Sequence, residues 1–296
     1  MKLHFLLIAL LPAALSAQGT STGLVELKIP VSPQTSALAE SFVSGQGSAA
    51  AGWLNPANLA EHAGYELNIT HTNWMENVLQ LDALNLTMPF IGGSASFTLA
   101  ASSVDDIQIR EVPGEAVGTF DARSSNFQFS YGIQVAQHIS VGFGAKYIYE
   151  KIYTDETSGY SCDFGGDYSL PIDGLSVGAS MTNIGKVPGF RNGDISLPSM
   201  LRIGTSYAMA VNNFDVHTAI AYSNEWNNSL SHLHFGAEAI YQNYFSIRVG
   251  YLTGYDARGI SAGMGIRYNR FQVNYSFIPV SEDLGNAHSI AVGVTF

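Results

Sequence analysis

The chain has 296 residues, a formal net charge of −11 and charged side chains at only 12% of positions. The absence of a basic cluster excludes nucleic acid as an expected partner, and so few charges fit poorly with a surface exposed to bulk water. A single cysteine, Cys162, excludes an intramolecular disulfide.

Met1-Lys2 is followed by the apolar run Phe5 to Leu11 and by Ala13-Ala14-Leu15-Ser16-Ala17 before Gln18. A charged start, a short apolar core and small residues at the cut read as a secretory signal peptide over residues 1–17. Residues 18–64 lack strand alternation. Ser36-Ala37-Leu38-Ala39-Glu40 and Gly47-Ser48-Ala49-Ala50-Ala51 are small-residue stretches, followed by Trp53-Leu54-Asn55-Pro56-Ala57-Asn58-Leu59-Ala60. Small residues permit close packing, and Asn55-Pro56 favours a turn. The segment is expected to form a compact plug of short helices and turns at the periplasmic mouth of a lumen. Its candidate lumen contacts are Trp53, Leu54, Asn55, Pro56 and Leu59.

From Tyr65 onward the chain reads as two-faced strands. Val141, Phe143, Ala145, Tyr147 and Tyr149 alternate with Gly142, Gly144, Lys146, Ile148 and Glu150. Phe245, Ile247, Val249 and Tyr251 alternate with Ser246, Arg248 and Gly250. Phe271, Val273, Tyr275 and Phe277 alternate with Gln272, Asn274 and Ser276. A period of two puts each set on its own face of a strand. One face is large and apolar. The other is Gly, Ser, Asn and Gln with scattered charge, and Ile148 and Ile240 are its apolar exceptions. Tight turns at Ile91-Gly92-Gly93, Ala136-Gln137-His138, Pro171 to Gly174, Val211-Asn212-Asn213, Gln242-Asn243 and Asn269-Arg270 alternate with longer connections. Those are Thr72–Val78, Ser102–Arg123, Thr154–Gly159, Ile184–Pro198, Ser223–Ser231, Gly254–Gly259 and Val280–Ala287. Ile107 and Ile109 alternate inside Ser102–Arg123, which is expected to be a hairpin extension beyond the membrane.

No later segment approaches the ~20 apolar residues of a spanning helix. The expected fold is therefore all-β: a transmembrane antiparallel β-barrel of about 14 strands over residues 65–296, with short periplasmic turns and longer outer loops. The expected location is a bacterial outer membrane, with outer-membrane lipid and the assembly machinery as partners and the terminal Phe296 as the assembly signal.

Little in the pattern points to chemistry. Asp215 and His217 share an inward face, but no serine is marked beside them, so no catalytic site and no enzyme activity are expected. His232 and His234 also share an inward face and lack a third metal ligand at a telling spacing, so no metal site and no cofactor are expected. Inward Lys146, Arg202, Arg248 and Arg267 have Glu66, Asp82, Asp163, Asp167 and Glu238 as prospective partners.

Several short motifs carry a resemblance. The stretch Ser36 to Ala60, His71-Thr72-Asn73-Trp74, Thr182-Asn183-Ile184-Gly185, Leu197-Pro198 and Asp283-Leu284-Gly285-Asn286-Ala287-His288 resemble, in order and spacing, the PorV/PorQ family of outer-membrane barrels, itself related in architecture to FadL-type transporters. Leu54 between Trp53 and Asn55, and Asn58 in place of a glycine, depart from the family pattern. The resemblance implies a partner or scaffold in type IX-like protein secretion or surface attachment, with secreted cargo or other secretion components as partners. Trp74, Phe190 and Trp226 are its candidate outer-loop contacts. The alternative is a FadL-like transporter of a hydrophobic ligand. The scarcity of apolar residues read on the inward face favours the first.

Overall fold

A computed structural model describes residues 23–45, 51–76, 78–110, 112–190, 193–228, 230–255, 257–281 and 285–296. The signal-peptide reading of residues 1–17 and most of the Gly47–Ala51 stretch lie outside them. The strands are β1 Glu66–Trp74, β2 Leu79–Phe90, β3 Gly93–Ile109, β4 Gly118–Ala136, β5 Ile139–Ile152, β6 Asp155–Ser169, β7 Leu175–Pro188, β8 Asp194–Ser196, β9 Met200–Val211, β10 Phe214–Glu225, β11 Leu230–Tyr241, β12 Phe245–Leu252, β13 Ile260–Tyr268, β14 Phe271–Pro279 and β15 Asn286–Thr295. Each pairs antiparallel with its neighbour. β7 lies between β6 and β9, and the short β8 only adds to the end of β7. β15 returns to β1 from Glu66↔Thr295 to Asn73↔His288. The result is a closed barrel of 14 strands, which leaves no open sheet edge.

Alternation decides what surrounds the barrel. On β12, Ile247 is 57% exposed while the flanking Ser246 and Arg248 are buried. The same phase recurs at Ile220, Ile266, Val273 and Val292, all exposed on the outside. A continuous apolar exterior of this extent needs lipid rather than water. On β5 and β6 the apolar band runs from Ile139 beside Tyr168 to Tyr147 beside Tyr160. That is about nine residues, the length of a tilted membrane-spanning strand. Among the described residues no helix is long and apolar enough to cross a membrane; strands do so here.

The tight turns fall where expected, several with Asn or Gly in the left-handed region, such as Asn212, Asn269 and Gly92. The opposite, loop end differs in three places. Thr154–Gly159 is not a loop, because Ile152 pairs with Asp155 and only Tyr153 and Thr154 turn the chain. The motif Thr182–Gly185 does not end its strand. β7 continues to Pro188 through a bulge opposite Cys162 and Phe164, with Asn183 at φ 59° and its N–H donating to Asp163 Oδ1 at 2.8 Å. Ser223–Ser231 is mostly strand, since β10 runs to Glu225 and β11 starts at Leu230. The Ser102–Arg123 segment is the expected hairpin extension, paired out to Ile109↔Gly118.

Inside lies the plug, made of 3₁₀ turns at Val25–Lys28, Ala51–Trp53 and Pro56–Glu61 and one helical turn, α1, at Pro33–Ala37. It is not confined to the turn-end mouth. Gly23 N–H donates to Ser196 O at the loop end, whereas Ser94 Oγ donates to His62 O at the turn end. The plug therefore runs the length of the lumen. An irregular segment buried in this way must find partners for its backbone, and the wall supplies them. Ser261 Oγ donates to Ala37 O, Ser180 Oγ to Leu54 O and Gln128 Nε2 to Gly52 O. Glycines let the two backbones meet: a Cβ at Gly142 would lie 2.2 Å from Pro56 C, and one at Gly250 would lie 2.5 Å from Ala39 N. The Gly- and Ser-rich inward faces are thus the receptor for the plug.

Candidate functional site

At the loop end, between the plug and the β1–β3 wall, lies a cavity of about 410 Å³. Val25 and Ile29 contribute from the plug, Trp74, Met75, Val78 and Leu79 from the β1–β2 hairpin, Val104 from β3, and Tyr255, Ala257 and Val280 from the facing loops. Its floor is a packed cluster of Ile29, Val31, Trp53, Leu54, Leu81, Ala83 and Ala100, with Trp74 and Leu79 against it. An apolar column thus descends from the cavity along β2. A much smaller cavity of about 50 Å³ lies at the turn end beside Arg248 and Asn274.

The apolar wall comes from an inversion of phase. On the lower part of β2, Leu84 and Leu86 face outward, with Asn85 and Thr87 buried inside. On its upper part Leu81 and Ala83 are buried inside, and Asp82 faces out to bond His71 Nδ1 at 2.7 Å. The pairing with β1 and β3 is regular throughout, so no bulge causes the change. Above the lipid the exterior becomes polar and the interior apolar. Asp82 is therefore not an inward partner for a lumen cation, and the inward face carries more apolar residues than Ile148 and Ile240.

Two cations border the cavity, and each has a carboxylate. Lys28 Nζ lies 3.2 Å from Glu225 Oε2. The Arg258 guanidinium sits 5.5 Å from the Trp74 ring and 4.5 Å from the Tyr255 ring, with Nη2 3.5 Å from Glu40 Oε1. Tyr255 in turn stacks on His232 at 4.1 Å. Glu40 also holds Arg202 at 3.3 Å. It does so from a left-handed backbone (φ 60°, after Ala39 at φ 49°) that closes the helical turn α1. Burial alone would raise the Glu40 carboxyl, but Arg258, Arg202 and His234 together hold it below its ordinary value. Glu26, buried near Ser124, is pushed up by burial.

Of the residues singled out in the sequence, Trp53 and Leu54 reach the cavity floor and Trp74 forms its wall. Asn55, Pro56 and Leu59 lie deeper. Asn55 caps its turn, accepting from Ala57 N–H at 3.0 Å and donating to Val43 O at 2.7 Å. Phe190 is half-buried and Trp226 is 40% exposed, in the loops after β7 and β10. Phe296 is exposed at the turn end. Lys146 pairs with Asp163 at 2.9 Å and Arg248 with Glu238 at 2.6 Å, as the pattern suggested, whereas Arg202 turns to Glu40 in the plug. Among the histidines, His234 bonds Ala39 O through Nδ1 and Ser223 Oγ through Nε2, both at 2.7 Å. One neutral tautomer satisfies both. Val25, Ile29, Leu79, Tyr255, Arg258 and Val280 were not singled out; of these only Leu79 left a trace in the sequence, through the inverted alternation on β2.

The fold is that of FadL-type channels. The Ralstonia pickettii toluene transporter TbuX superposes with a TM-score of 0.56 at 11% identity, over 89% of this chain and 98% of its own. The CymD monoaromatic hydrocarbon channel gives 0.60 at 14% identity, over 90% and 98%. A Pseudomonas aeruginosa FadL homologue gives 0.59 at 11% identity, over 89% and 98%. The likeness is one of fold. No protein-family profile and no curated relative matches the chain in sequence.

Proposed function

We propose that the protein is an outer-membrane channel of FadL-like architecture that takes up small hydrophobic molecules, without enzymatic chemistry, with its loop end facing the cell exterior. The observation that carries this reading is the neutral, apolar cavity above a continuous apolar column between plug and β2. An apolar cavity of roughly 150 Å³ suffices for a benzene ring, so this one has room for a substituted ring or a short alkyl chain. The structural neighbours named for toluene and monoaromatic hydrocarbons add support from fold likeness.

The test is equilibrium quenching of tryptophan fluorescence by bromobenzene, with the full chain in lipid nanodiscs. Trp74 in the cavity wall should give saturable quenching. Leu79→Trp or, independently, Val280→Trp should fill the space and abolish saturation while the barrel keeps its heat-dependent gel mobility. Non-saturable quenching of the wild type would refute the reading.

A partner role in type IX-like secretion, the reading that the PorV/PorQ resemblance carries, is favoured by one observation: the plug fills the lumen along its length. Loss of exported proteins from the cell surface when the gene is removed would support it. An unchanged surface proteome with impaired uptake of aromatic compounds would support transport.

A further inference from the structure

The small cavity at the turn end, about 50 Å³, lies between the plug and the wall of β11–β14. It opens where one inward position lacks a side chain. Ser246, Gly265 and Asn274 share a row across β12, β13 and β14, and a Cβ at Gly265 would lie 2.5 Å from both Ser246 Oγ and Asn274 Oδ1. Around that gap stand Arg248 and Arg267 from the wall and Gln34 from α1 of the plug. Arg248 is buried, whereas Arg267 and the turn residue Asn243 are exposed, so solvent reaches the cavity from the turn end.

The acceptors beside the cavity are taken. Asn274 Oδ1 accepts from Arg248 Nη1 at 3.0 Å, Gln272 Oε1 from Arg267 Nη2 at 3.1 Å and Gln34 Oε1 from Ser32 Oγ at 2.9 Å. The donors are not. Among the described residues Arg248 Nη2, Arg267 Nη1, Asn274 Nδ2 and Gln34 Nε2 bond no acceptor. Arg248 has a carboxylate of its own, with Glu238 Oε1 2.6 Å from Nε. Arg267 has only the Gln272 amide, and Glu66 stands one side chain away, accepting from Gln272 Nε2 at 2.6 Å. Two guanidiniums, one without a carboxylate against it, and two primary amides therefore border the recess with N–H groups to spare. Guanidinium forks match the planar oxygens of carboxylates and phosphates.

We infer that this cavity binds a small oxyanion, a carboxylate or phosphate group from the turn-end solution, which bridges Gln34 of the plug to Arg248 and Arg267 of the wall. Size and chemistry select this occupant. One water needs roughly 10–15 Å³ by the same measure, so the cavity holds an anion of about four or five heavy atoms. An aromatic ring needs roughly 150 Å³ and does not fit. A metal cation would face guanidinium charge and N–H groups instead of free oxygens. The site does not depend on the channel reading. Because Gln34 leaves with the plug, a bound anion holds the plug docked by mass action, and local opening becomes rarer by the factor 1 + [anion]/Kd.

The experiment is titration calorimetry of the full chain in nanodiscs of zwitterionic lipid, with sodium acetate and separately with inorganic phosphate, at ionic strength held constant by sodium chloride. Saturable binding of either anion is expected. At ten times the measured Kd, hydrogen exchange of peptide 33–38 should slow about eleven-fold, with β2 and β5 unchanged. Arg267→Gln should weaken binding about ten-fold or more, as loss of a charged hydrogen-bond donor does, and Arg267→Lys should restore part of it. Gln34→Ala should keep weaker binding and lose most of the slowing. Arg270→Gln, an exposed cation in the neighbouring turn that does not line the cavity, should match the parent. Heat-dependent gel mobility verifies folding of each variant. Absence of saturable binding by both anions, which chloride occupying the cavity equally well would also produce, overturns the oxyanion site. Undiminished binding in Arg267→Gln, or an equal loss in Arg270→Gln, overturns it as attraction elsewhere on the surface. Saturable binding that leaves exchange of peptide 33–38 unchanged overturns the bridge to the plug. Each of these results leaves the channel reading standing.

Discussion

Among the described residues Glu40 is the one acid shared by two arginines in the lumen, and replacing it by glutamine isolates what that charge does. Glu40→Gln keeps the shape but leaves the buried Arg202 and the half-buried Arg258 with no carboxylate within the cluster, from pairs that now stand at 3.3 and 3.5 Å. Removing one partner of a buried pair costs about 3–5 kcal/mol, which corresponds to roughly 10²- to 10⁴-fold in the opening equilibrium of whatever the pair holds closed. What it holds is the plug rather than the barrel, because the wall is closed by its own strand ladders. Hydrogen exchange in nanodiscs should therefore show peptide 37–44 losing protection by that factor, while strands β9 and β12 keep theirs. Arg258→Met leaves Glu40 with Arg202 one to one and should cost less. A change in peptide 37–44 smaller than about ten-fold, or one spread equally over the strands, would refute the reasoning. The pH dependence follows from the sign. The folded carboxyl lies below its ordinary value, so its contribution is fully present above about pH 4.5 and is lost as pH falls through the lower, folded value. Glu40→Gln should abolish that acid loosening.

The other end of the plug should respond in the opposite sense. Burial raises Glu26, with the Ser124 hydroxyl offsetting only part, so docking of residues 23–29 is strongest below about pH 4.5 and weakens as pH rises through the raised, folded value. Exchange of the Leu27 and Ile29 amides, corrected for intrinsic rate, should grow with pH across that window and lose its dependence in Glu26→Gln. Gly142→Val would put a side chain into the Pro56–Ala57 backbone, an overpacking cost of about 1–3 kcal/mol. Limited proteolysis should then cut the chain near residues 52–62 while heat-dependent gel mobility of the barrel is retained; unchanged resistance to protease would count against the close approach.

The ladder was legible because lipid outside and a lumen inside impose a two-residue period on almost every strand, and Phe245 to Tyr251 or Phe271 to Phe277 state that period without ambiguity. Height along the barrel was less legible. Alternation reports which residues share a face, not which face is the inner one. Above the lipid edge the solvent on each side changes while the period does not. Leu79, Leu81 and Ala83 therefore look like lipid-facing residues until the register with β1 fixes Asp82 on the outside. The bulge at Asp105–Asp106 hides the inward phase of Ile107 and Ile109 in the same way, since an extra residue shifts phase without marking itself by glycine or proline. Arg258 was invisible because its meaning lies in Trp74, Tyr255 and Glu40, three residues remote in sequence.

A polar inward face was taken to argue against a hydrophobic path, and the structure inverts that inference. Side chains and glycines of the wall from β4 to β13 meet plug backbone: Gln128 at Gly52 O, Ser180 at Leu54 O, His234 at Ala39 O, Ser261 at Ala37 O, and Gly142 and Gly250 by close approach. Hydrogen bonds of this kind are directional, and a donor or acceptor left unpaired in the lumen costs about 1–3 kcal/mol, so those sides resist displacement. Along β2 the plug meets the wall through Ile29, Val31, Trp53 and Leu54 against Leu81, Ala83 and Ala100. Apolar contacts are non-directional and can re-form around an apolar guest at little cost. The plug is pinned on its polar sides and yielding on one, and the yielding side begins at the floor of the cavity. The same serine-rich inward face that counted against a hydrophobic path thus confines any hydrophobic passage to the strip between the plug and β1–β3.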